Sequence, residues 1–278
     1  MTFLDTTFRG SGIARNRPPT SSYAGTPGEE SIPTEARTIQ ELIDHHTQVR
    51  PDTAFLISPE TGRILTFRQL QERSILLSRE LRRAGLAAGD KVAFVLDNGL
   101  FTAELFLGAM YGGFVSVPLN VRAGASQLSY TLDHCDASIV YVSDSYADLM
   151  KEMLATMQRT VRVIPADEDG IFSASTTSLA AEAPFEPTPD DAALLMYSSG
   201  STGRPKAAVH SHQTILAGGR NAVASHELTD SDRSLLVLPL YHINAECVTL
   251  IPTLLSGGSV VIPHRFSVSH FWDWLDEH

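Results

Sequence analysis

KVAFVLDNGLFTAELFLGAMYGGFVSVPLN, residues 91–120, decides the architecture. Lys91–Leu96 reads as a strand, Leu100–Tyr111 as a helix and Phe114–Leu119 as a second strand. The rhythm continues downstream: Gln127–His134 is a helix, Ile139–Ser143 a strand, Tyr146–Met157 a helix and Val161–Ile164 a strand. Short β-branched runs alternating with amphipathic helices imply βαβ crossovers and a mostly parallel sheet flanked by helices. The fold class is α/β.

Upstream, Thr38-Ile39-Gln40-Glu41 has the form of a capping box, and the helix it opens must end near Arg50 because Pro51 follows. Ala54–Ser58 and Arg63–Leu65 flank a turn at Pro59-Glu60-Thr61-Gly62. Thr66-Phe67-Arg68-Gln69 is a second box; Leu70, Leu77 and Leu81 share one face of the following helix, which stops at Gly85. Half of residues 1–36 are Ser, Thr, Gly or Pro, so a loose N-terminal arm is expected there.

A first α/β sublobe is therefore expected over 37–164. Residues 165–191 hold four Pro, seven Asp or Glu and no Lys or Arg, and read as an acidic connector. A second sublobe is expected over 192–278: strand Ala192–Tyr197, helix near Gln213–Ala224, strand Leu235–Leu238, helix near Ala245–Leu255, strand Ser259–Ile262 and a helix from about Ser269. That series has barely begun when the sequence stops at His278, so the second sublobe is expected to be incomplete.

Composition narrows the function. The chain is 43% hydrophobic and 19% charged, which is a globular profile. Against 32 Asp and Glu stand 21 Lys and Arg, a net charge of −11 with no basic stripe, which speaks against nucleic acid as partner. Cys135 and Cys247 are too few for a disulfide framework or a four-thiolate zinc site, and point to a reducing compartment. No secretory leader and no apolar run of ~20 residues is visible, so a cytoplasmic location without a membrane span is expected.

Chemistry concentrates at Tyr197-Ser198-Ser199-Gly200-Ser201-Thr202-Gly203-Arg204-Pro205-Lys206. Four Ser and Thr hydroxyls, two glycines that admit backbone N–H groups to an oxyanion, and a terminal lysine can wrap a polyphosphate. Pro205 replaces the second glycine of a Walker A loop, and neither a G-x-S-x-G elbow nor an S-x-x-K is present. His210 and His212 have a spacing that could hold a metal, but no metal is expected at them.

The loop resembles that of the adenylate-forming (AMP-binding) superfamily, of the acyl-CoA synthetase type: Tyr-(Thr/Ser)-Ser-Gly-(Thr/Ser)-Thr-Gly-x-Pro-Lys-Gly. Residues 197–206 match it throughout; Ala207 departs from the final Gly. Phe67–Leu70, Gly89-Asp90-Lys91-Val92, Val117-Pro118-Leu119-Asn120 and Leu238-Pro239-Leu240-Tyr241-His242 resemble further family segments in the same order. The likeness covers roughly residues 37–278.

The resemblance implies a large N-terminal domain of two βα sublobes. It also implies ATP-dependent conversion of a small carboxylic acid to an acyl-adenylate, then thioester formation with coenzyme A. ATP, Mg2+ and CoA are the implied cofactors. It gives Ser198, Ser199, Gly200, Ser201, Thr202, Gly203 and Lys206 to the ATP phosphates. Tyr241, His242, Ile243 and Asn244 go to the acid pocket, with His242 as the catalytic candidate. The family's adenine, ribose and hinge segments do not occur before His278, so the chain is expected to be an N-terminal part, incompetent alone. Two other readings compete: a carrier-protein-loading adenylation domain, which the absence of Asp from Tyr241–Ala245 disfavours, and a non-catalytic nucleotide-binding or scaffolding fragment.

Overall fold

The computed structural model describes residues 35–171, 184–198 and 205–278. Nearly all of the expected N-terminal arm lies outside them. Thr38 caps α1 (Ile39–Val49), its hydroxyl accepting from Glu41 N at 3.1 Å. The Glu41 carboxylate accepts from the Arg37 N–H at 2.6 Å rather than from that of Thr38, so the reciprocal bond closes one residue earlier than the motif predicts. The second box is complete. Thr66 and Gln69 exchange both bonds at the start of α2 (Phe67–Arg83), with basic Arg82 and Arg83 in the last turn where the helix dipole favours them.

The alternation follows as β3 (Lys91–Val95), α3 (Leu100–Tyr111), β4 (Val115–Pro118), α4 (Ala125–His134), β5 (Ile139–Ser143), α5 (Ala147–Thr156) and β6 (Arg162–Ala166). After the connector come β7 (Ala192–Ser198), β8 (Lys206–Ser211) and α6 (His212–His226). Then come β9 (Arg233–Leu235), a π-helical turn over Ala245–Leu250, α7 (Ile251–Ser256), β10 (Ser259–Val261) and α8 (Phe271–Glu277). β9 lies two to three residues earlier than the predicted Leu235–Leu238.

A six-stranded sheet has the order β6-β5-β3-β4-β7-β8, parallel except for the β7–β8 pair. Period-2 alternation divides its side chains. Phe94, Tyr141 and Leu194 face a core shared with α1, α2 and α3; Val95, Val140 and Leu195 face one shared with α4 and α5. Both faces are thus covered, as parallel pairing requires. Every residue of α3 is buried.

The second sheet has the order β2-β1-β10-β9, with β1 (Ala54–Ile57) and β2 (Ile64–Thr66) at one side. Strand pairing therefore cuts across the division expected at 165–191. β1 pairs in parallel with β10, Leu56 opposite Val260, while β7 and β8 extend the sheet built by β3 to β6. The cause is burial: Phe55, Leu56 and Ile57 need neighbours on both sides, and β2 covers only one.

The connector is also more than a spacer. Asp169 in it is buried, and Phe185 packs edge-on against Phe114 and under the Arg82 guanidinium. Residues 172–183 lie outside the described residues.

Candidate active site

β7 and β8 form an antiparallel pair whose register places Ser198 opposite Lys206 and Tyr197 opposite Ala207. The glycine- and serine-rich stretch joins their ends. Of its residues, Ser199, Gly200, Ser201, Thr202 and Gly203 lie outside the described residues; Ser198 and Lys206 are both exposed at the loop's foot. Beside them the Tyr197 hydroxyl meets His134 Nδ1 at 2.8 Å, and burial pushes the Tyr197 hydroxyl's pKa up.

The second predicted group sits on a turn. After Leu236, whose N–H donates to Val261 O at 2.8 Å, the chain leaves the sheet edge. His242 N donates to Pro239 O at 2.9 Å, and Ala245 N to His242 O at 2.9 Å. This turn buries Leu240 and Tyr241 and leaves His242, Ile243 and Asn244 exposed. The Tyr241 and His242 rings lie 4.8 Å apart. Burial raises the Tyr241 pKa, partly offset by the Arg122 guanidinium.

A small cavity of ≈ 40 Å³ joins the two groups: Ser198, Pro205 and Tyr241 line it together with Asn120 and Tyr197. On the other side of Tyr241 opens a cleft of ≈ 500 Å³, lined by Asn98, Arg122, Pro239, Tyr241 and Arg265. His242, Ile243 and Asn244 are not among the residues lining it.

The β3–α3 turn, Asp97-Asn98-Gly99, enters this cleft, and sequence reasoning missed it. Asp97 accepts from the Tyr146 hydroxyl at 2.8 Å and from Arg265 Nε at 2.8 Å; Arg265 also donates to the Tyr146 oxygen at 3.1 Å. The hydrogen bond to Asp97 holds the Arg265 guanidinium pKa above its ordinary value. A usable signal existed, because ligands of open α/β sheets gather where strands end and helices begin.

Behind this turn, Asp169 accepts from Leu100 N at 2.8 Å and from the Ser58 hydroxyl. His264 Nε2 approaches it at 3.2 Å, an electrostatic contact more than an aligned hydrogen bond. Burial alone would raise the Asp169 carboxyl, but His264, Ser58 and the Leu100 N–H outweigh it and lower the pKa. Glu60, Asp169 and His264 bring potential ligand atoms within 4.8 Å of one another. With the Asp169 oxygens already engaged, the cluster acts as a hydrogen-bond hub linking β1 and β2 to the segment after β10.

His212 is placed by packing. Its Nδ1 accepts from Ile39 N at 3.2 Å, so the ring helps to cap α1, and burial lowers its pKa to about 4. Glu246, in the π-helical turn, is fully buried with both carboxylate oxygens unpartnered among the described residues, and burial raises its pKa strongly.

With this geometry in place, comparison with known proteins is informative. The family described as AMP-binding enzyme matches residues 43–278. A sulfoacetate–CoA ligase of Cupriavidus necator is 40% identical over 237 residues, 84% of this chain and 47% of that protein. A feruloyl-CoA synthase of an Amycolatopsis species is 34% identical over 206 residues, 74% of this chain and 40% of that protein. The inhibitor-bound N-terminal domain of FACL13 from Mycobacterium tuberculosis superposes with a TM-score of 0.76 at 26% identity, covering 87% of this chain and 61% of that one. ATP-bound MatB from Rhodopseudomonas palustris gives 0.73 at 25% identity, covering 86% and 48%. The chain spans about half the length of the curated relatives it matches. The matched stretch runs through both sheets, the loop's foot and the Tyr241–His242 turn: the chain belongs to the AMP-binding enzyme family.

Proposed function

We propose that this chain carries the ATP-phosphate loop and part of the acid pocket of a carboxylate–CoA ligase. In that reaction a carboxylate oxygen attacks the α-phosphorus of ATP, and pyrophosphate leaves with the bond electrons. The thiol of CoA then attacks the acyl carbon and AMP departs. One observation carries the reading: Ser198 and Pro205 at the loop's foot share a cavity with Tyr241 of the pocket motif. A reaction between a carboxylate and an α-phosphorus needs these two groups side by side, because positioning and electrostatic stabilisation supply most of the acceleration.

In this reading Ser198, Ser199, Gly200, Ser201, Thr202, Gly203 and Lys206 hold the β- and γ-phosphates. Tyr241, His242, Ile243 and Asn244 border the acid, with His242 as the candidate beside the reacting carboxylate. Arg122 lines the adjoining cleft and suits an anionic substrate, while Arg265 there is paired with Asp97. Mg2+ would neutralise phosphate charge. The resemblance places its carboxylate contact in a segment that residues 1–278 do not contain, so full turnover is assigned to a longer protein.

MgATP titration of the 278-residue chain by calorimetry tests the loop assignment. Lys206→Ala should weaken binding by about tenfold or more, since a charge-assisted contact contributes about 1.5–3 kcal/mol. Undiminished binding would remove Lys206 from the site. Substantial acyl-CoA formation by the 278-residue chain would overturn the assignment of turnover to a longer protein.

A further inference from the structure

The segment Leu236–Leu240 is apolar, with Leu236 and Leu240 buried and Leu238 exposed; beyond the Leu236 N–H, which donates to Val261 O, its backbone has left the sheet and has no strand beside it. Pro239, in its middle, has no N–H to give. The part-buried Leu238 carbonyl and the buried Leu240 N–H on either side of it would be costly if unpaired. One side chain engages both. Asn98 Nδ2 donates to Leu238 O at 2.9 Å, and Asn98 Oδ1 accepts from Leu240 N at 2.9 Å. Asn98 is itself 3% exposed.

We propose that Asn98 is a positioning residue for the acid pocket: its amide clamps the backbone on both sides of Pro239 and so sets the turn that carries Tyr241 and His242. The chemistry is specific. The clamp needs a donor and an acceptor on one planar group of this length; leucine offers neither, an ionised aspartate offers no donor, and glutamine is one methylene too long. Asn98 is held on its own side as well. Its neighbour Asp97 is bound by Tyr146 and Arg265, and the Leu100 N–H donates to Asp169. The position of β3 is thereby passed to the 238–242 turn through a rigid linkage. The inference rests on the proposed role of Tyr241 and His242 only for its functional meaning.

Hydrogen exchange on the full 278-residue chain tests it without ATP or acid, so its outcome is independent of the Lys206 titration. Asn98→Ala should speed exchange of the 238–246 amides by about tenfold or more, the effect of losing two bonds, while the amides of α1 and α2 keep their rates. Asn98→Asp supplies the more exacting readout and guards against an alanine variant that fails to fold. A protonated carboxyl is isosteric with the amide and donates through its O–H, so at acid pH this variant should protect 238–246 as the parent chain does. As pH rises and the carboxyl ionises against Leu238 O, protection should fall in that segment alone. Equal protection in the parent and Asn98→Ala would overturn the proposal, as would an Asn98→Asp variant whose protection ignores pH.

Discussion

Gly99 offers the sharpest test of the packing behind the cleft. Its φ is 155°, and a Cβ built there would lie 2.3 Å from Glu168 O and 2.7 Å from Glu168 C. Neither atom is free to retreat. Glu168 O accepts from Phe101 N at 2.8 Å, and the adjacent Asp169 accepts from Leu100 N at 2.8 Å. Gly99→Ala must displace this backbone, costing about 1–3 kcal/mol of overpacking, and must strain two hydrogen bonds of about 1 kcal/mol each. With about 1–2 kcal/mol more for the positive-φ backbone, the total is about 4–7 kcal/mol. Gly62→Ala is the matched control: φ there is 67°, but a Cβ would meet nothing within 4 Å, so only the left-handed backbone is penalised, by about 1–2 kcal/mol. Urea denaturation followed by circular dichroism measures both variants against the parent. Equal losses would refute the argument, because they would mean that contact with Glu168 adds nothing to backbone strain.

Three further outcomes are expected. Glu104 is fully buried and bonded to Arg73 at 2.9 Å; burial raises its pKa to about 7, against the opposing pull of Arg73. Arg73→Leu should therefore cost about 3–5 kcal/mol in urea denaturation at pH 8, and less at pH 5, where the carboxyl is protonated. Because Glu104 holds its proton more tightly when folded, its contribution is present below the unfolded value near 4.5 and lost as pH rises through 7; Glu104→Gln should abolish that loss. His46 and His212 act in the opposite sense, since burial lowers both to about 4. Their contribution is present above pH 6.5 and lost as pH falls toward 4. His212→Asn keeps an acceptor for Ile39 N–H and should flatten thermal stability against pH in that window; an unchanged slope would exclude His212 as a source of acid sensitivity.

Much of this architecture could be read locally. α3 begins and ends where predicted because glycines stand on both sides of a long apolar run. α2 begins where predicted because its capping box is made of adjacent residues. The β9 boundary was misjudged for an instructive reason. Leu238 looks like a strand residue, but the partner of its carbonyl is an amide 140 positions away instead of a strand. Sheet membership was equally hidden, since nothing near Phe55 announces Val260 as its strand's neighbour. At the candidate site, the closeness of Ser198 to Lys206 was legible because a hairpin brings its own ends together. Asp97, Arg265 and Asp169 were not, because their meaning arises only when distant turns converge. Asp169 also sat among other acidic residues in a stretch read as a connector.

The pairing of β1 with β10 has a consequence for how the chain is made. The two strands are about 200 residues apart, so the four-stranded sheet has very high contact order and its closure is entropically late. At a synthesis rate of about 5–20 residues per second, Phe55 and Leu56 emerge about 10–40 s before Val260 exists. Throughout that interval the β1–β2 hairpin carries an unmatched apolar edge while the sheet built from β3 to β6 can already assemble. The nascent chain is therefore most exposed to misassociation at β1, the earliest strand among the described residues.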